Sequence, residues 1–367
     1  MTGVGRYTYN LLAALDGQAG VRLRALVLPE VLPLLKQYGG FQRVEWVAAP
    51  VGPEAHPRAE LFLWRGVRAL MRQGELYHGP AFIAPLGRQP FARVVTVHDL
   101  FVFSTPQFYP LGFRCWLRWM SREACRRAQR IIVPTREVAR ELAAFRLAPP
   151  ERVVVIPEAP DQTPAAFDRT ANETALQGAL TEPGPLLVTI GTLDPRKDPV
   201  TARRACVLLA EKLGRPTRWL WLGGAGASPD PSPPDLVATA ARAGFMAVGP
   251  ASSAGIQAAL GRATAYVTCS RAEGFGLPLV EAFLRGCPVV ASDIPVHREV
   301  CDMAAVWFPP GEAERLAEVL ANLLQSPEKL AQGQAAASAR AGFFSWERAA
   351  LDTINCYVDA CQIPVRS

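Results

Sequence analysis

Two acidic side chains, Glu273 and Glu281, lie within SRAEGFGLPLVEAF (Ser270–Phe283), with Gly274, Gly276 and Pro278 between them. The preceding ATAYVTCS is an apolar run that predicts a strand ending near Ser270. Pro278 suits the first turn of a helix, where its missing N–H is not needed. Gly274 and Gly276 free the backbone before that helix to approach a ligand closely. The amides of Phe275, Gly276 and Leu277 can then point at an anion, aided by the positive end of the helix. Glu281 falls inside the first turn or so of the helix and Glu273 at the strand tip, so the two acids have different reach. The plainer alternative for Glu281 alone is an acid that complements its helix dipole.

A second stretch, IGTLDPRKDP (Ile190–Pro199), also follows an apolar run and places Arg196 and Lys197 just before a helix that opens with Pro199. Two cations at the mouth of a parallel sheet suit a diphosphate, each charge-assisted bond contributing about 1.5–3 kcal/mol. Arg-Lys on a solvated turn is the bland alternative. A third stretch, VVTVHDLFVFSTPQFYP, sets His98 and Asp99 at the end of a strong strand. His-Asp there could serve a metal phosphohydrolase, but the chain has 4 histidines (His56, His78, His98, His297) and no other acid–histidine cluster in its sequence supports a metal centre. A structural histidine is the alternative. The opening GVGRY (Gly3–Tyr7) lacks the third glycine of a dinucleotide fingerprint and has no acid at the right distance, which excludes nicotinamide binding there. GGAGAS (Gly223–Ser228) is too weak to name a cofactor.

The elements that must position these residues alternate along the chain. RLRALVL, VEWVAAP, ARVVTVHDL, RIIVPT and RVVVIPEA predict strands in the first half, and LLVTIGT, WLWLGG, AYVTCS and PVVASD in the second. Amphipathic stretches such as YTYNLLAAL, REVARELAAF, PVTARRACVLLAEKLG and PLVEAFLRG lie between them. Buried strands alternating with helices predict parallel sheets covered on both faces. The pattern runs twice, which predicts two α/β domains, and the unpatterned Pro160–Pro185 stretch places the hinge near its start. Open parallel sheets bind ligands at the carboxyl ends of their strands, where nearly all the motifs above fall. A strand is expected before GVGRY, and a start upstream of Met1 is the favoured explanation for its absence.

Bulk properties set the class. A chain of 367 residues with 50% hydrophobic and 20% charged residues is an ordinary globular mix, too long for one core. No apolar run approaches the roughly 18 residues that span a bilayer, and no export leader is evident. The 8 cysteines include no C-x-x-C pair, which reads as reduced thiols in a cytoplasm rather than a disulfide frame or zinc site. A net charge of +6 favours anionic partners without choosing among them. Nucleic acid is disfavoured for want of a recognisable binding fold.

Taken in order, GVGRYTYNLLAAL, VTVHDL, RIIVPTREVAREL, RVVVIPEAPD, IGTLDPRKDP, EGFGLPLVEAFLRGCPVVASDIPVHREV and FFSWERAA make almost the whole chain resemble the retaining GT-B glycosyltransferases of family four, mannosyltransferase-like in the GTLDPRKD form. The resemblance implies an α/β fold of two Rossmann-like, doubly wound parallel-sheet domains facing each other across a cleft. Residues 1–160 would be the acceptor-side domain, 161–345 the nucleotide-sugar domain, and 346–367 a terminal helix packing back on the first. By resemblance, Glu273 contacts the donor sugar and Glu281 the ribose hydroxyls. The amides of Phe275, Gly276 and Leu277, with Arg196 and Lys197, hold the diphosphate. His98 faces the donor sugar from the other domain, with Gly3 and Gly5 lining the cleft beside it. Two further departures from the family pattern are Thr192, where many members carry another phosphate-binding arginine, and Glu158-Ala159, where Asn-Gly is usual.

The implied reaction transfers a hexose, mannose favoured, from GDP-mannose or a UDP-hexose to a glycan or lipid-linked glycan in envelope or exopolysaccharide synthesis. It proceeds with retention and requires neither cofactor nor metal; the sequence carries no D-x-D. Fixed cations and aimed amides would stabilise the departing diphosphate without reorganising. Other readings remain open: a GT-B phosphorylase, a nucleotide-sugar epimerase, or a non-catalytic sugar-nucleotide-binding module. Finally, RCWLRWMSREACRRAQR carries Arg114, Arg118, Arg122, Arg126 and Arg130 at four-residue spacing beside Trp116 and Trp119. This predicts a basic helix suited to an anionic membrane surface, hence a cytoplasmic protein peripheral at the inner membrane face. A solvated helix face is the alternative; LFLWRGVRALMRQG (Leu61–Gly74) offers a second basic helix.

Overall fold

The computed structural model describes residues 3–38, 40–48, 67, 70–71, 74–82, 84–163, 173–226 and 229–363. The chain forms two compact units, one of Met1–Phe167 with Ser345–Ser367 and the other of Asp168–Phe344. Most of the second basic stretch, Leu61–Gly74, lies outside the described residues.

The first unit contains β1 (Arg24–Val27), β2 (Glu45–Ala48), β3 (Leu76–Gly79), β4 (Ala92–Thr96), β5 (Arg130–Val133) and β6 (Val153–Val155). β3-β4-β5-β6 form a parallel sheet in that order, while β1 and β2 pair in parallel as a separate two-stranded sheet. β4 is buried along its whole length, as its unbroken apolar run requires of a strand covered on both faces. Helices Gly3–Asp16 and Trp346–Gln362 belong to this unit and pack on each other. Trp346 Nε1 donates to the Pro160 carbonyl at 2.8 Å, which ties the start of the terminal helix to the segment following β6.

The second unit is a six-stranded parallel sheet of β7 (Leu187–Ile190), β8 (Trp219–Leu222), β9 (Phe245–Gly249), β10 (Ala265–Thr268), β11 (Val289–Ser292) and β12 (Ala305–Phe308). Its order is β12-β11-β10-β7-β8-β9. The chain therefore builds outward one way from β7, then returns to build the other way from β10. The reversal leaves a crevice outside the carboxyl ends of β7 and β10, where doubly wound sheets bind ligands. β7, β8, β10 and β11 are fully buried. Trp219 and Trp221 fill the core and still satisfy their indole N–H groups on Thr189 Oγ1 (3.0 Å) and the Gly191 carbonyl (2.7 Å).

β3, β9 and β12 are strands the apolar runs did not announce. β9 and β12 are the two edges of their sheet and have mixed burial, and β3 is an edge of its own sheet. β9 (FMAVG) and β12 (AVWF) are nonetheless apolar in sequence and only partly buried, whereas the run of β3 (LYHG) is interrupted by His78.

The basic helix forms as Leu111–Arg127, but its arginines do not make one outward stripe. Four-residue spacing drifts by about 40° per step around a helix of 3.6 residues per turn. Each arginine therefore meets different neighbours. Arg118 donates to the Val102 carbonyl (2.8 Å), Arg122 lies over the Phe103 ring, and Arg126 pairs with Glu123 (2.7 Å). Arg130, beyond the helix, reaches Asp359 at 3.6 Å. Leu111, Phe113 and Trp119 are the exposed large apolar side chains on this helix. Among the described residues no helix is long and apolar enough to cross a membrane.

Candidate active site

The loop after β7 and the loop after β10 meet in the second unit. Gly191 begins the first with a φ of +146°, and the carbons of the Lys197 side chain pack where a Cβ on Gly191 would sit. Beside it, a Cβ on Gly223 would lie 2.0 Å from the Gly191 carbonyl oxygen, so the ends of β7 and β8 approach as only glycine permits. Asp194 then caps a single 3-10 turn, Pro195–Lys197, by accepting from the amides of Arg196 (3.0 Å) and Lys197 (3.2 Å). Asp198, in the left-handed region at φ +52°, ends that turn and caps helix Pro199–Leu213 through the Thr201 amide. Two caps in succession fix the directions in which Arg196 and Lys197 leave the backbone.

Both cations reach Glu273. Arg196 Nη1 lies 3.2 Å from Glu273 Oε2 and also donates to the Ala272 carbonyl at 3.3 Å. Lys197 Nζ donates to Glu273 Oε1, and Ser270 Oγ donates to the same oxygen at 2.6 Å. The loops are joined through their backbones too, Arg271 N donating to the Arg196 carbonyl at 2.8 Å. Burial alone would raise the Glu273 pKa. The positive charges of Lys197 and Arg196 outweigh it and hold the carboxyl at about 2. At neutral pH Glu273 is therefore a carboxylate, an acceptor of hydrogen bonds and not a proton donor.

The bend continues through Gly276 at φ +90° into helix Leu277–Leu284, which carries Pro278 in its first turn and no side-chain cap. Phe275 is buried edge-on against Phe344, which anchors the residue next to Gly276. Glu281 lies in the second helical turn, slightly deeper than the spacing alone suggested, and only 2% of it is exposed. Tyr266 of β10 connects the acids. Burial raises its pKa well above the ordinary phenol value, and the negative charges of Glu273 and Glu281 add to that. His297 is buried as well, donating from Nδ1 to the Ser292 carbonyl at 2.9 Å. Burial lowers its pKa to about 4 despite the opposing charge of Glu273, so it is neutral. Arg196, Lys197 and Glu273 thus meet where the loops after β7 and β10 join, and Glu281 lies on the helix that follows the Gly276 bend.

The structure adds residues that spacing did not single out: Asp194 and Asp198 as caps, Ser270 on Glu273, and His297 beneath. Asp-Pro before each turn was the available sign of the caps. Thr192, which stands where an arginine was expected, donates its hydroxyl to Asp194 Oδ2 at 2.5 Å and so supports the first cap.

In the first unit, His98 follows β4. Nδ1 lies 2.9 Å from Glu158 Oε1 and Nε2 lies 2.8 Å from the Pro80 carbonyl. Both partners follow strands of the same sheet, β6 and β3. Tyr7 meets the His98 ring edge to face at 4.5 Å. Gly3 and Gly5 lie in the first turn of helix Gly3–Asp16, the helix that carries Tyr7. Among the described residues no group of three or more His, Cys, Asp or Glu side chains could hold a metal ion, and all eight cysteines are free.

Residues 1–162 match the family described as Glycosyltransferase Family 4, and residues 173–340 match Glycosyl transferases group 1. The two matches leave out only 163–172 and 341–367. The chain is similar to the O-antigen chain mannosyltransferase B of Escherichia coli, 26% identical over 82% of this chain and 77% of that protein. It is 31% identical to the D-inositol 3-phosphate glycosyltransferase of Nocardia farcinica over 63% of this chain, and spans about half (52%) of that protein's length. Among solved structures, Anabaena HepE in complex with UDP and glucose superposes with a TM-score of 0.69 at 17% identity, covering 97% of this chain and 96% of that one.

Proposed function

The chain belongs to the GT-B glycosyltransferases of family four and is mannosyltransferase-like in sequence; from that premise we propose that it moves a hexose, mannose favoured, from a nucleotide-diphosphate sugar to a glycan or lipid-linked glycan acceptor with retention of configuration. The observation that carries this reading is the convergence of Arg196, Lys197 and Glu273 at the carboxyl ends of β7 and β10, where the strand order reverses.

Cleaving a sugar–phosphate bond puts positive charge on the sugar and negative charge on the departing diphosphate. Arg196 and Lys197 neutralise that diphosphate, with the amides of Phe275, Gly276 and Leu277 at the start of an uncapped helix. Their present counterion is Glu273, so an arriving diphosphate shares cations whose directions the two aspartate caps have already fixed. Little is then spent on reorganising them. Glu273, ionised at all working pH values, accepts hydrogen bonds from sugar hydroxyls and orients the ring, while the acceptor attacks from the face the diphosphate leaves. Glu281 binds the ribose hydroxyls, and His98 acts on the sugar, with Gly3 and Gly5 beside it. The reading needs neither a metal nor a cofactor beyond the nucleotide sugar. GDP-mannose ranks above a UDP-hexose because of the resemblance to mannosyltransferases.

The acceptor side favours a surface-bound glycan. Helix Leu111–Arg127 exposes Leu111, Phe113 and Trp119 and also Arg122 and Arg126, the latter paired with Glu123, which suits peripheral attachment to an anionic inner membrane face in envelope or exopolysaccharide synthesis. The test is turnover against a panel of nucleotide sugars, with and without a mannan or lipid-linked acceptor. Sugar transfer that requires the acceptor supports the reading. Turnover with free phosphate in place of acceptor marks a phosphorylase, turnover with no acceptor at all an epimerase, and binding without turnover a sugar-nucleotide-binding module.

A further inference from the structure

His98 and Glu158 are held together inside the first unit, with 8% and 4% of their surfaces exposed. The proton count of this pair follows from its partners. The Pro80 carbonyl can only accept, so Nε2, 2.8 Å away, carries a hydrogen. Nδ1 faces a carboxylate oxygen at 2.9 Å. With a bare Nδ1 and an ionised Glu158, two lone pairs would oppose each other in a site shielded from water. One further proton between them makes the contact a charge-assisted hydrogen bond. The pair is then neutral overall, with the charge divided as imidazolium and carboxylate.

The groups around the ring leave Glu158 as the dominant source of that proton's stability. Tyr7 packs edge-on at 4.5 Å and is neutral, burial holding its phenol far above the ordinary value. His78 is neutral too, burial lowering it to about 3 with the His98 charge adding to the effect. Asp99, the next residue in the chain, adds a weaker attraction. Phe82 meets the His98 ring edge to face at 5.7 Å between centroids and holds a φ of +61°. That is a costly backbone for a bulky residue, which marks the Pro80–Phe82 arch as tightly constrained. Burial lowers the His98 pKa, but the hydrogen bond and charge of Glu158, the Pro80 carbonyl and Asp99 together raise it above its ordinary value.

We propose that Glu158 is a positioning residue that keeps His98 doubly protonated, so that the imidazole is fixed at the end of β4 only while the pair holds its proton, and that glycosyl transfer fails when that proton leaves. A neutral ring has one N–H for two acceptors and must release either Glu158 or the arch. Here the carboxylate of Glu158 converts the histidine into a cation with a pH-dependent hold. The sign follows directly: the raised pKa means the hold is complete below the ordinary imidazole pKa and is lost as pH rises through the raised one. The activity arm of this proposal rests on the transferase reading; its spectroscopic arm does not.

The experiment is a pH titration of the intact chain labelled with 15N at histidine, read through the imidazole nitrogens, beside steady-state kinetics of wild type, Glu158→Gln and Glu158→Asp. Wild-type His98 is expected to show two protonated nitrogens at neutral pH and a midpoint above that of free imidazole. In Glu158→Gln the midpoint falls below that of free imidazole, because burial remains and the charge is gone. kcat at neutral pH falls by about tenfold to a hundredfold, the scale of a misplaced catalytic group, with KM for the donor little changed. Activity recovers toward acid pH, and Glu158→Asp restores part of it. A single protonated nitrogen on wild-type His98 at neutral pH overturns the proposal, as does an unchanged kcat–pH profile in Glu158→Gln. Should Glu158→Gln fail to fold, the wild-type spectrum decides alone; should no donor turn over, that spectrum still tests the pair.

Discussion

A buried carboxylate faces positive charge in each unit, Glu273 in the second and Glu158 in the first, and the two do so in opposite ways. Glu273 faces an arginine and a lysine, charges that persist across the whole working pH range, and its own pKa is pushed down to about 2. Glu158 faces a histidine whose charge exists because Glu158 is there. The second unit thus holds a fixed electrostatic framework and the first a titratable one. A fixed framework is what a diphosphate needs, since it arrives and leaves highly charged at any relevant pH. A titratable contact is a means of making one step depend on pH. The contrast predicts that donor affinity is flat across neutral and mildly alkaline pH while kcat declines on the alkaline side.

The sharpest way to break this contrast is Glu273→Ala. It removes the counterion that two half-buried cations share, leaving Arg196 with Asp194 at 3.7 Å, and takes away the group proposed to orient the sugar. Turnover is expected to fall about 10²–10³-fold, the scale of losing a preorganised electrostatic group in an active site. Donor affinity should hold or tighten, because Arg196 and Lys197 are released from a competing carboxylate. Calorimetry with a nucleotide sugar separates the two effects; a loss of affinity as large as the loss of turnover would make Glu273 a binding group instead.

Next in size is Lys197→Ala. Removing one charge-assisted contact to a diphosphate costs about 1.5–3 kcal/mol, roughly tenfold to a hundredfold in donor dissociation constant. The weakening should be alike at neutral and mildly alkaline pH. A donor affinity unchanged by this substitution would remove the diphosphate assignment, and with it the idea of a fixed anion framework in the second unit.

How much of this arrangement was legible in the sequence depends on how far each feature relies on strand order. The interior strands β4, β7, β8, β10 and β11 are continuous apolar runs, and burial on both faces explains why they read so plainly. The edges β9 (FMAVG) and β12 (AVWF) are short apolar stretches that periodicity alone does not tell from a buried helix segment, and β3 (LYHG) is interrupted by His78. Glu273, Arg196 and Lys197 each stood out as a residue of the right type at a strand end. That they bind one another did not, because the contact spans 76 positions and exists only where β10 returns beside β7. Glu158 passed as a mere variant for the same reason. Its partner follows β4, two strands away across β5, and nothing local to the VVVIPEA run points there. The arginines of Leu111–Arg127 show the reverse error: their local spacing looked purposeful, and tertiary contacts dispersed them.

The smallest expected effect comes from Arg271→Ala, and it separates a built site from a merely basic surface. Arg271 is in the same pair of loops, but its side chain is 59% exposed and it pairs with Asp198 at 2.9 Å. An ion pair with one exposed partner is worth about 1 kcal/mol or less, and Asp198 keeps its cap on helix Pro199–Leu213 through the Thr201 amide and hydroxyl. Donor affinity should therefore change less than about threefold and melting temperature by only a few degrees, read by calorimetry and thermal denaturation. If Arg271→Ala weakened the donor as much as Lys197→Ala, the loops would act through summed positive charge. The double cap at Asp194 and Asp198, which aims two particular cations at Glu273, would then have no part in donor binding.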